Sequence, residues 1–303
     1  MRYVITGATS RTSNIVATRL LEHGRNINVI GRNSRRLKEY SDKGAIAFEA
    51  DPSDGNALTP AFKEGNAAWI MLQPNYIPDS PDFRKFQSGL ISALVQSISK
   101  SNLNYAVTLS SWGADVKAGN GPVAGLHDME LAFNQLPDLN VLHLRAGYFM
   151  ENMLGYIPSI IQTGKVSGPL NPYLELPFIA IKDIGDYAAD VLMNPDFEGK
   201  VIHELHGERD LTIAKAISII GKAIGNPDLV YEQTSNADFV NALLNAGVSE
   251  NVAGLMEEVV TGINNRHIKM SGSRSAANTT PTSFEKFVSN TFIPAYHKVL
   301  AGL

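Results

Sequence analysis

The stretch MRYVITGATSRTSN, residues 1–14, decides the fold class. A short apolar run, Tyr3 to Ile5, ends in the tetrapeptide Thr6-Gly7-Ala8-Thr9 and leads directly into a helical pattern. This order is typical of a dinucleotide-binding fold, in which backbone N–H groups at a helix N-terminus face a pyrophosphate. Ser10 and Ser13, however, stand at two positions where such loops usually keep glycine. An incomplete glycine pattern leaves two interpretations open: a phosphate site, or a loop in which a serine merely caps the helix.

Strand and helix patterns alternate after this loop. Strands are predicted at residues 3–6, 27–31, 45–49, 67–72, 105–110 and 140–144. Helical patterns lie between them, at residues 14–22, 34–40, 56–62, 83–99 and 126–135. This alternation builds a parallel sheet with helices on both faces. The sequence therefore predicts an α/β protein with a Rossmann-type, doubly wound parallel sheet.

The pattern changes after Gly147. Four prolines interrupt it within twenty residues, at positions 158, 169, 172 and 177. Beyond them, three helical patterns at residues 212–224, 236–245 and 252–263 indicate a helical lobe, and the small residues 271–283 indicate a linker. We expect an NAD(P)-binding domain at residues 1–150 and a smaller, mainly helical substrate-binding lobe at residues 151–303. Within the lobe, a helix and a strand near residues 182–206 are expected to return to the main sheet.

Composition excludes several classes of function. The 303 residues carry a net charge of -4, with 26 basic and 30 acidic residues mixed along the chain, so no basic stripe is available for nucleic acid. The chain has no cysteine, which excludes disulfides and thiolate chemistry. His203 and His206 lie on a predicted strand, where residues three apart face opposite sides, so no metal site is expected. No apolar run is long enough to cross a bilayer, and the first strand leaves no room for a signal peptide; we expect a cytoplasmic protein.

The end of the second strand favours a particular dinucleotide. Sites that prefer NAD place an acidic residue there, whereas this chain has Gly31-Arg32-Asn33-Ser34-Arg35-Arg36. Three cations at a helix N-terminus oppose the helix dipole and favour an anion, such as the 2′-phosphate of NADP. A solvated basic helix start is the alternative. Asp51, just past the third strand, could meet the adenine edge or cap the next helix.

Several longer stretches point to one family. They are TGAT (6–9), LSSWGA (109–114), HDMELAF (127–133), HLRAGYFMEN (143–152), IKDIGDYAADVL (181–192), GERDLT (207–212) and TTPTSFEKFV (279–288). In these stretches the chain resembles the NmrA-like group of atypical short-chain dehydrogenases, which includes NADP-dependent quinone reductases and cofactor-sensing regulators. The stretches span nearly the whole chain, and HLRAGYFMEN is the most specific of them. Ser10 and Ser13 depart from the family pattern.

The resemblance implies a role for individual residues. The pyrophosphate would lie against the first loop, at Gly7, Thr9, Ser10, Arg11, Thr12 and Ser13. The 2′-phosphate would meet Arg32 and Arg36, and the adenine side would meet Asp51. The ribose would lie at Leu72, Gln73 and Pro74, and the nicotinamide end at Gly147, Tyr148 and Phe149.

The chain lacks the acid/base pair of ordinary short-chain dehydrogenases. None of the ten tyrosines is followed four residues later by lysine, which argues against alcohol dehydrogenation and sugar-nucleotide epimerisation. Reduction of a quinone needs only a hydride and a proton from water or a nearby histidine. His127 is the candidate proton donor, with a surface histidine as the alternative. Ser110 and Ser111 follow a strand at the ligand-binding edge, although turn chemistry also explains them.

Together these features predict an NADPH-dependent oxidoreductase, with NADPH preferred over NADH, that reduces a quinone-like or conjugated carbonyl substrate. The alternative is a non-catalytic NADP(H)-sensing protein that acts through a protein partner. A third interpretation, a relative that has lost its cofactor, rests only on Ser10 and Ser13. The expected partners are a small-molecule substrate and either a second copy of the chain or a regulatory protein, with no direct nucleic acid and no membrane.

Overall fold

The computed structural model describes residues 1–72 and 79–302, and most of its strands form a single parallel sheet. The strands are β1 (Arg2–Ile5), β2 (Asn26–Gly31), β3 (Ile46–Glu49), β4 (Ala67–Met71), β5 (Tyr105–Ser111), β6 (Asn140–Ala146), β7 (Tyr148–Phe149), β8 (Val166–Gly168), β9 (Glu175–Leu176), β10 (Phe178–Ile179), β11 (Lys200–Leu205), β12 (Leu211–Thr212) and β13 (Tyr231–Gln233). Seven of them form the sheet in the order β11-β6-β5-β4-β1-β2-β3. All neighbours in it run parallel.

Twelve α-helices connect and cover the strands within the described ranges. They are α1 (Arg11–Glu22), α2 (Ser34–Asp42), α3 (Gly55–Lys63), α4 (Phe83–Ser99), α5 (Ala124–Asn134), α6 (Ile157–Thr163), α7 (Ile181–Met193), α8 (Ile213–Ala223), α9 (Asn236–Asn245), α10 (Glu250–Asn264), α11 (Phe284–Phe287) and α12 (Ile293–Ala301). Short 3-10 helices lie at Gly121–Val123 and Met150–Tyr156, and a π-helical turn at Val288–Phe292 joins α11 to α12.

Strand β4 shows why the sheet lies at the centre of the molecule. All five of its residues, AAWIM, are buried, as expected for a parallel strand covered on both faces. Alternate side chains enter opposite layers: Trp69 packs with the core around α1 and α7, while Ala68 and Ile70 pack with the core around α3, α4 and α5. The strand order reverses between β1 and β4, and this is the place where open α/β sheets bind ligands.

A third core holds the second part of the chain together. It joins the segment after β7 to the helices beyond residue 210 through buried apolar side chains such as Met153, Ile217 and Phe284. Three two-stranded pairs, β7 with β10, β8 with β13 and β9 with β12, extend from this region. Strand β11 pairs in parallel with β6 at the edge of the main sheet. The division of the chain at residue 150 stays a prediction.

The predicted fold class is confirmed by the parallel order of the seven strands. Two local features differ from the sequence interpretation. Helix α1 begins at Arg11 rather than Asn14, because Ser10 caps it. The small-residue stretch 271–283 is more than a linker, since His206 donates its backbone N–H to Asn278 and its carbonyl accepts from Thr280. Across the described residues, no helix is both long and apolar enough to cross a membrane.

Candidate functional site

The loop between β1 and α1, residues 6–10, together with the first N–H groups of α1, has the features of an anion-binding loop, and we call it the cradle. Gly7 adopts a positive φ of 56°, a conformation that glycine takes without strain, and its carbonyl accepts the backbone N–H of Ser10 at 2.8 Å. The Ser10 side chain accepts the N–H of Ser13 at 3.3 Å and so caps the helix. The backbone N–H groups of Arg11 and Thr12 have no acceptor among the described residues. Two such N–H groups at the positive end of a helix are suited to a phosphate.

The side chains of the two serines that replace glycine, Ser10 and Ser13, donate hydrogen bonds to the sulfur of Met71. Ser13 is fully buried, and its hydroxyl donates to the Met71 thioether at 3.0 Å while accepting the Trp69 indole N–H at 2.9 Å. The Ser10 hydroxyl donates to the same sulfur at 3.0 Å. Both partners of the Ser13 hydroxyl belong to β4, and contact of Ser13 with the cofactor stays a prediction. Ser10 remains at the surface of the cradle, with its hydroxyl proton already committed.

Tyr40 supports this loop from α2 and was missed in the sequence. Its hydroxyl donates to the Ala8 carbonyl at 2.7 Å and accepts the side-chain N–H of Asn14 at 2.6 Å. Tyr40 lies 32 residues from Ala8 along the chain, and no local pattern links the two residues. The contact fixes the loop carbonyl beside the cradle.

Arg32 and Arg36 line a cavity of about 220 Å³ next to the cradle. The remaining lining residues are Gly7, Thr9, Ser10, Gly31 and Asn33. Asn33 caps α2 by accepting the N–H groups of Arg35 and Arg36. Throughout residues 1–72 and 79–302, neither Arg32 nor Arg36 finds a carboxylate within ion-pair distance. The cavity therefore presents two cations without an ion-pair partner, although the charge of Arg32 is near enough to Asp51 to help lower its pKa.

Asp51 lies outside this cavity. Its carboxylate accepts both the backbone N–H of Ser53 at 2.8 Å and the Ser53 hydroxyl at 2.7 Å. These hydrogen bonds hold the pKa of Asp51 below its usual range. The residue thus stabilises the turn before α3, and its contact with adenine stays a prediction.

A second cavity, which we call the reaction cavity, occupies about 490 Å³ at the carboxyl edge of the sheet. It meets the first cavity at Ser10. Its lining includes the predicted residues Ser10, Arg11, Thr12, Leu72, Ser110, Ser111 and Phe149. Glu151 and Asn152 also line it, and the sequence interpretation missed the other eight residues, namely Met71, Phe83, Gln87, Leu109, Pro122, Val123, Leu126 and Ile181. Gln73 and Pro74 lie outside the described residues.

Gly147 and Tyr148 serve packing rather than the cavity wall. A Cβ on Gly147 would come within 2.2 Å of the Pro177 carbonyl oxygen, so only glycine fits there. Tyr148 packs edge-on against Phe178, with ring centroids 5.2 Å apart, and burial raises its pKa. Their contact with the nicotinamide end stays a prediction. Phe149, the next residue of β7, does line the reaction cavity.

Ser110 belongs to a buried charged network beside the reaction cavity. Its hydroxyl donates to Glu130 at 2.5 Å, and Arg145 donates to the same carboxylate through Nε at 3.0 Å and Nη2 at 2.6 Å. All three residues are buried. The bidentate geometry compensates two buried charges. Because its proton is committed to Glu130, the Ser110 hydroxyl offers a substrate only lone pairs.

His127 is not part of the described lining of the reaction cavity, and its catalytic role stays a prediction. Its Nδ1 lies 2.7 Å from the Ala114 carbonyl oxygen, so this nitrogen carries the proton and donates it there. Neither the cavity at Arg32 and Arg36 nor the reaction cavity has His127 in its described lining.

Glu151 is the acidic group that does line the reaction cavity. Both of its carboxylate oxygens lie 3.1 Å from the backbone N–H of Ile181, which they accept at the start of α7. Burial raises the pKa of Glu151 above its usual range. Within the described part of the chain, no cluster of three or more His, Asp or Glu side chains is arranged to hold a metal ion.

Comparison with known proteins agrees with this architecture. The model of the NmrA-like family matches residues 136–288, half of the chain. The chain belongs to the NmrA-like family. This NmrA-like protein is 25% identical to Quinone oxidoreductase 2 of Escherichia coli (strain K12) over 263 residues, covering 85% of this chain and 86% of that one. It is 28% identical to Prestalk A differentiation protein A of Dictyostelium discoideum, over about half of each chain, 51% in both cases.

Solved structures share the whole fold. The NADPH-dependent quinone oxidoreductase of Escherichia coli, in complex with NADPH, superposes with a TM-score of 0.77 at 22% identity, covering 96% of this chain and 100% of that one. NmrA, a negative transcriptional regulator in complex with NAD, superposes with a TM-score of 0.72 at 13% identity, covering 100% of this chain and 98% of that one. The same fold thus occurs both in a reductase and in a regulator.

Proposed function

We propose that this protein binds NADPH and uses it to reduce a quinone or another conjugated carbonyl compound. The observation that carries the proposal is the meeting of two cavities at Ser10, one with two unpaired arginines and one largely apolar. The residues present fit a dinucleotide with a 2′-phosphate: Arg32 and Arg36 would hold that phosphate, and the N–H groups of Arg11 and Thr12 the pyrophosphate. The reaction cavity would then hold the nicotinamide end and the substrate.

The names of two relatives support the same chemistry. One relative over most of the chain is a quinone oxidoreductase, and a structure with the same fold is an NADPH-dependent quinone oxidoreductase. An NmrA-like protein with two cations at the end of β2 is suited to NADPH rather than NADH, because a 2′-phosphate adds charge-assisted hydrogen bonds there.

The reaction cavity suits a flat, electron-poor ring. Leu109, Leu126 and Phe149 offer apolar contacts and exclude water, while Ser111 and Asn152 offer polar groups to an oxygen of the substrate. Bound NADPH supplies a hydride to such a ring. The substrate then needs one proton; His127, whose Nδ1 donates to the Ala114 carbonyl, is not part of the described cavity lining.

The alternative function is that of an NADP(H) sensor. It is favoured by the fold likeness to a negative transcriptional regulator and by the absence of a Tyr-x-x-x-Lys pair in the sequence. In a sensor, the cation-lined cavity would still bind the cofactor, and occupancy would change the affinity for a protein partner. The two functions therefore share the cofactor site and differ in turnover.

A turnover assay separates the two functions. Purified protein is mixed with NADPH and a panel of benzoquinones, naphthoquinones and enones, and oxidation of NADPH is followed by its absorbance. We expect steady turnover with at least one quinone, and we expect His127→Gln to keep it, because the imidazole contacts only the Ala114 carbonyl within the described structure.

No turnover above background with any member of the panel would contradict the reductase. The sensor would then be tested by immobilising the protein and comparing the cell proteins that it retains with and without NADPH. A tenfold loss of turnover in His127→Gln would restore the histidine as a catalytic group and contradict its placement outside the cavity.

A further inference from the structure

Two cavities of the molecule meet at one carboxylate. A third cavity, of about 440 Å³, lies between α7 and the segment 279–291 and adjoins the reaction cavity. We call it the charged cavity. Of the residues that the structure describes, only Glu151 lines both. A cavity of this size with charged walls is suited to hold water. Glu151 therefore lies in the wall shared by the reaction cavity and a space that also carries charged side chains.

The setting of Glu151 is fixed by α7. Glu151 lies in the 3-10 helix that follows β7, and its carboxylate accepts the N–H of Ile181. Ala180, the residue at the N-cap position of α7, has no side chain that could accept this N–H. The carboxylate of Glu151 thus replaces the missing cap, and the helix N-terminus stabilises its charged form. A carboxyl group that loses a proton here leaves an anion with a hydrogen-bond donor already in place.

Charged groups reach this carboxylate or its two cavities from each neighbouring element. They are Arg11 and Arg19 of α1, Lys182, Asp183, Asp186 and Asp190 of α7, and Lys286 of α11. Arg19 pairs with Asp186 and Asp190, and Lys182 pairs with Asp186. Burial raises the pKa of Glu151 most strongly; the N–H of Ile181 and the charge of Arg11 lower it, and the charge of Asp183 raises it. The net effect moves the carboxyl group toward protonation at neutral pH.

Other groups on the reaction cavity are less suited to give a proton. The Ser110 hydroxyl is committed to Glu130, and the guanidinium of Arg11 stays charged throughout the ordinary pH range. Apart from Glu151 and Arg11, the described lining of the reaction cavity contains no Asp, Glu, His, Lys, Tyr or Arg. The carboxyl group is thus the titratable acid at this place.

We propose that Glu151 is the proton donor of the reaction, and that it regains its proton from the charged cavity. This inference rests on the proposed reductase function. The substrate accepts a hydride at a ring carbon, with both electrons of the broken C–H bond, and negative charge gathers on its oxygen. An O–H bond forms on that oxygen as the O–H bond of Glu151 breaks. The resulting carboxylate takes a proton from water in the charged cavity, so one hydride and one proton are consumed in each turnover.

The decisive variant is Glu151→Gln, because its amide oxygen can still accept the N–H of Ile181 while its side chain has no proton to give. We expect kcat to fall about 100-fold or more, with NADPH affinity and the melting temperature nearly unchanged. In the parent protein kcat should fall as pH rises through the pKa of Glu151, since the protonated form is active; the variant should lose this dependence. Glu175→Gln, an exposed glutamate that lines neither cavity, serves as the matched control.

A second measurement needs no cofactor. Infrared titration of the ligand-free protein, minus the same titration of a folded Glu151 variant (Glu151→Gln or Glu151→Ala), isolates the protonated carboxyl band of Glu151, and we expect a midpoint above the usual ~4.3. A midpoint at or below that value would overturn the inference. If Glu151→Gln kept the turnover of the parent protein, the role of Glu151 as proton donor would be overturned while the reductase function would stand. A parent protein that reduces no quinone or enone would overturn the reductase function, and this inference with it.

Discussion

At the scale of single residues, Met71 explains how serines can replace glycines in the first loop. A serine in such a loop brings a hydroxyl toward the phosphate position. Here both hydroxyls donate to the Met71 sulfur, and Trp69 also donates to Ser13. The hydroxyl of Ser13 therefore turns into the core, and the phosphate position keeps the backbone N–H groups of the helix start.

Replacing Ser13 with alanine should lower stability without changing cofactor binding. The substitution leaves the buried Trp69 N–H without its acceptor, and an unsatisfied buried group costs about 1–3 kcal/mol of the free energy of unfolding. Urea denaturation measures this loss, and fluorescence titration with NADPH measures affinity, which should change less than twofold. Ser41→Ala, at an exposed position in α2, is the control. A tenfold loss of NADPH affinity at unchanged stability would contradict the inward placement of Ser13.

Part of the candidate site could be predicted from the sequence, residue by residue. Arg32 and Arg36 line their cavity as expected, because their positions follow directly from the end of a strand and the start of a helix. The hydrogen bonds of Tyr40 and Glu151 could not be predicted, since each joins residues about thirty positions apart. The hydrogen bond of His127 to the Ala114 carbonyl could not be predicted either, because the two residues lie 13 positions apart, and its catalytic role stays a prediction.

At the scale of elements, the carboxyl ends of β5 and β6 carry buried polar groups that stabilise the cavity wall. Ser111 pairs with Ala146 at the end of the register, and Ser110, Glu130 and Arg145 are bonded across β5, α5 and β6. Hydrophobic periodicity predicted these elements well, since their buried faces repeat regularly. Periodicity gives no information on polar bonds between elements, so this network was not foreseen.

His143 of β6 should make stability depend on pH. It is fully buried between Thr108 and Asn134, and burial lowers its pKa from 6.5 to about 4. Between these values the unfolded chain binds a proton that the folded protein refuses, so stability falls as pH drops from 6.5 to about 4. One unit of pKa shift corresponds to about 1.4 kcal/mol, so the loss should total about 3 kcal/mol.

Urea denaturation at several pH values between 4 and 7 tests this dependence. His143→Gln should flatten the pH dependence of unfolding free energy by the contribution of one proton. His297→Gln, an exposed histidine of α12, should leave the pH dependence unchanged. The same slope in the parent protein and in His143→Gln would show that folding does not lower the pKa of His143, and would contradict this prediction.

At the scale of the whole molecule, the cavity at Arg32 and Arg36 and the reaction cavity lie where the order of the sheet reverses. The second part of the chain closes over this place. The loop after β1, the end of β5 and the segment Phe149 to Asn152 meet there. Alternating strands and helices were enough to predict the fold class. The closing contacts were not predictable, because they join distant residues; the backbone N–H of Phe83, for example, donates to Asn251 at 2.9 Å.

The central claim is that Arg32 and Arg36 make this site select NADPH. Isothermal titration of the parent protein with NADPH and with NADH, at one fixed salt concentration, tests it most directly. Arg32→Ala is titrated beside Arg35→Ala, a neighbouring exposed arginine that does not line the cavity. We expect the parent protein to bind NADPH more tightly by about 10- to 100-fold, since a charge-assisted hydrogen bond contributes about 1.5–3 kcal/mol. Arg32→Ala should lose most of this preference while keeping its affinity for NADH, and Arg35→Ala should keep both. Equal affinities for the two cofactors in the parent protein, or binding of neither, would contradict the account.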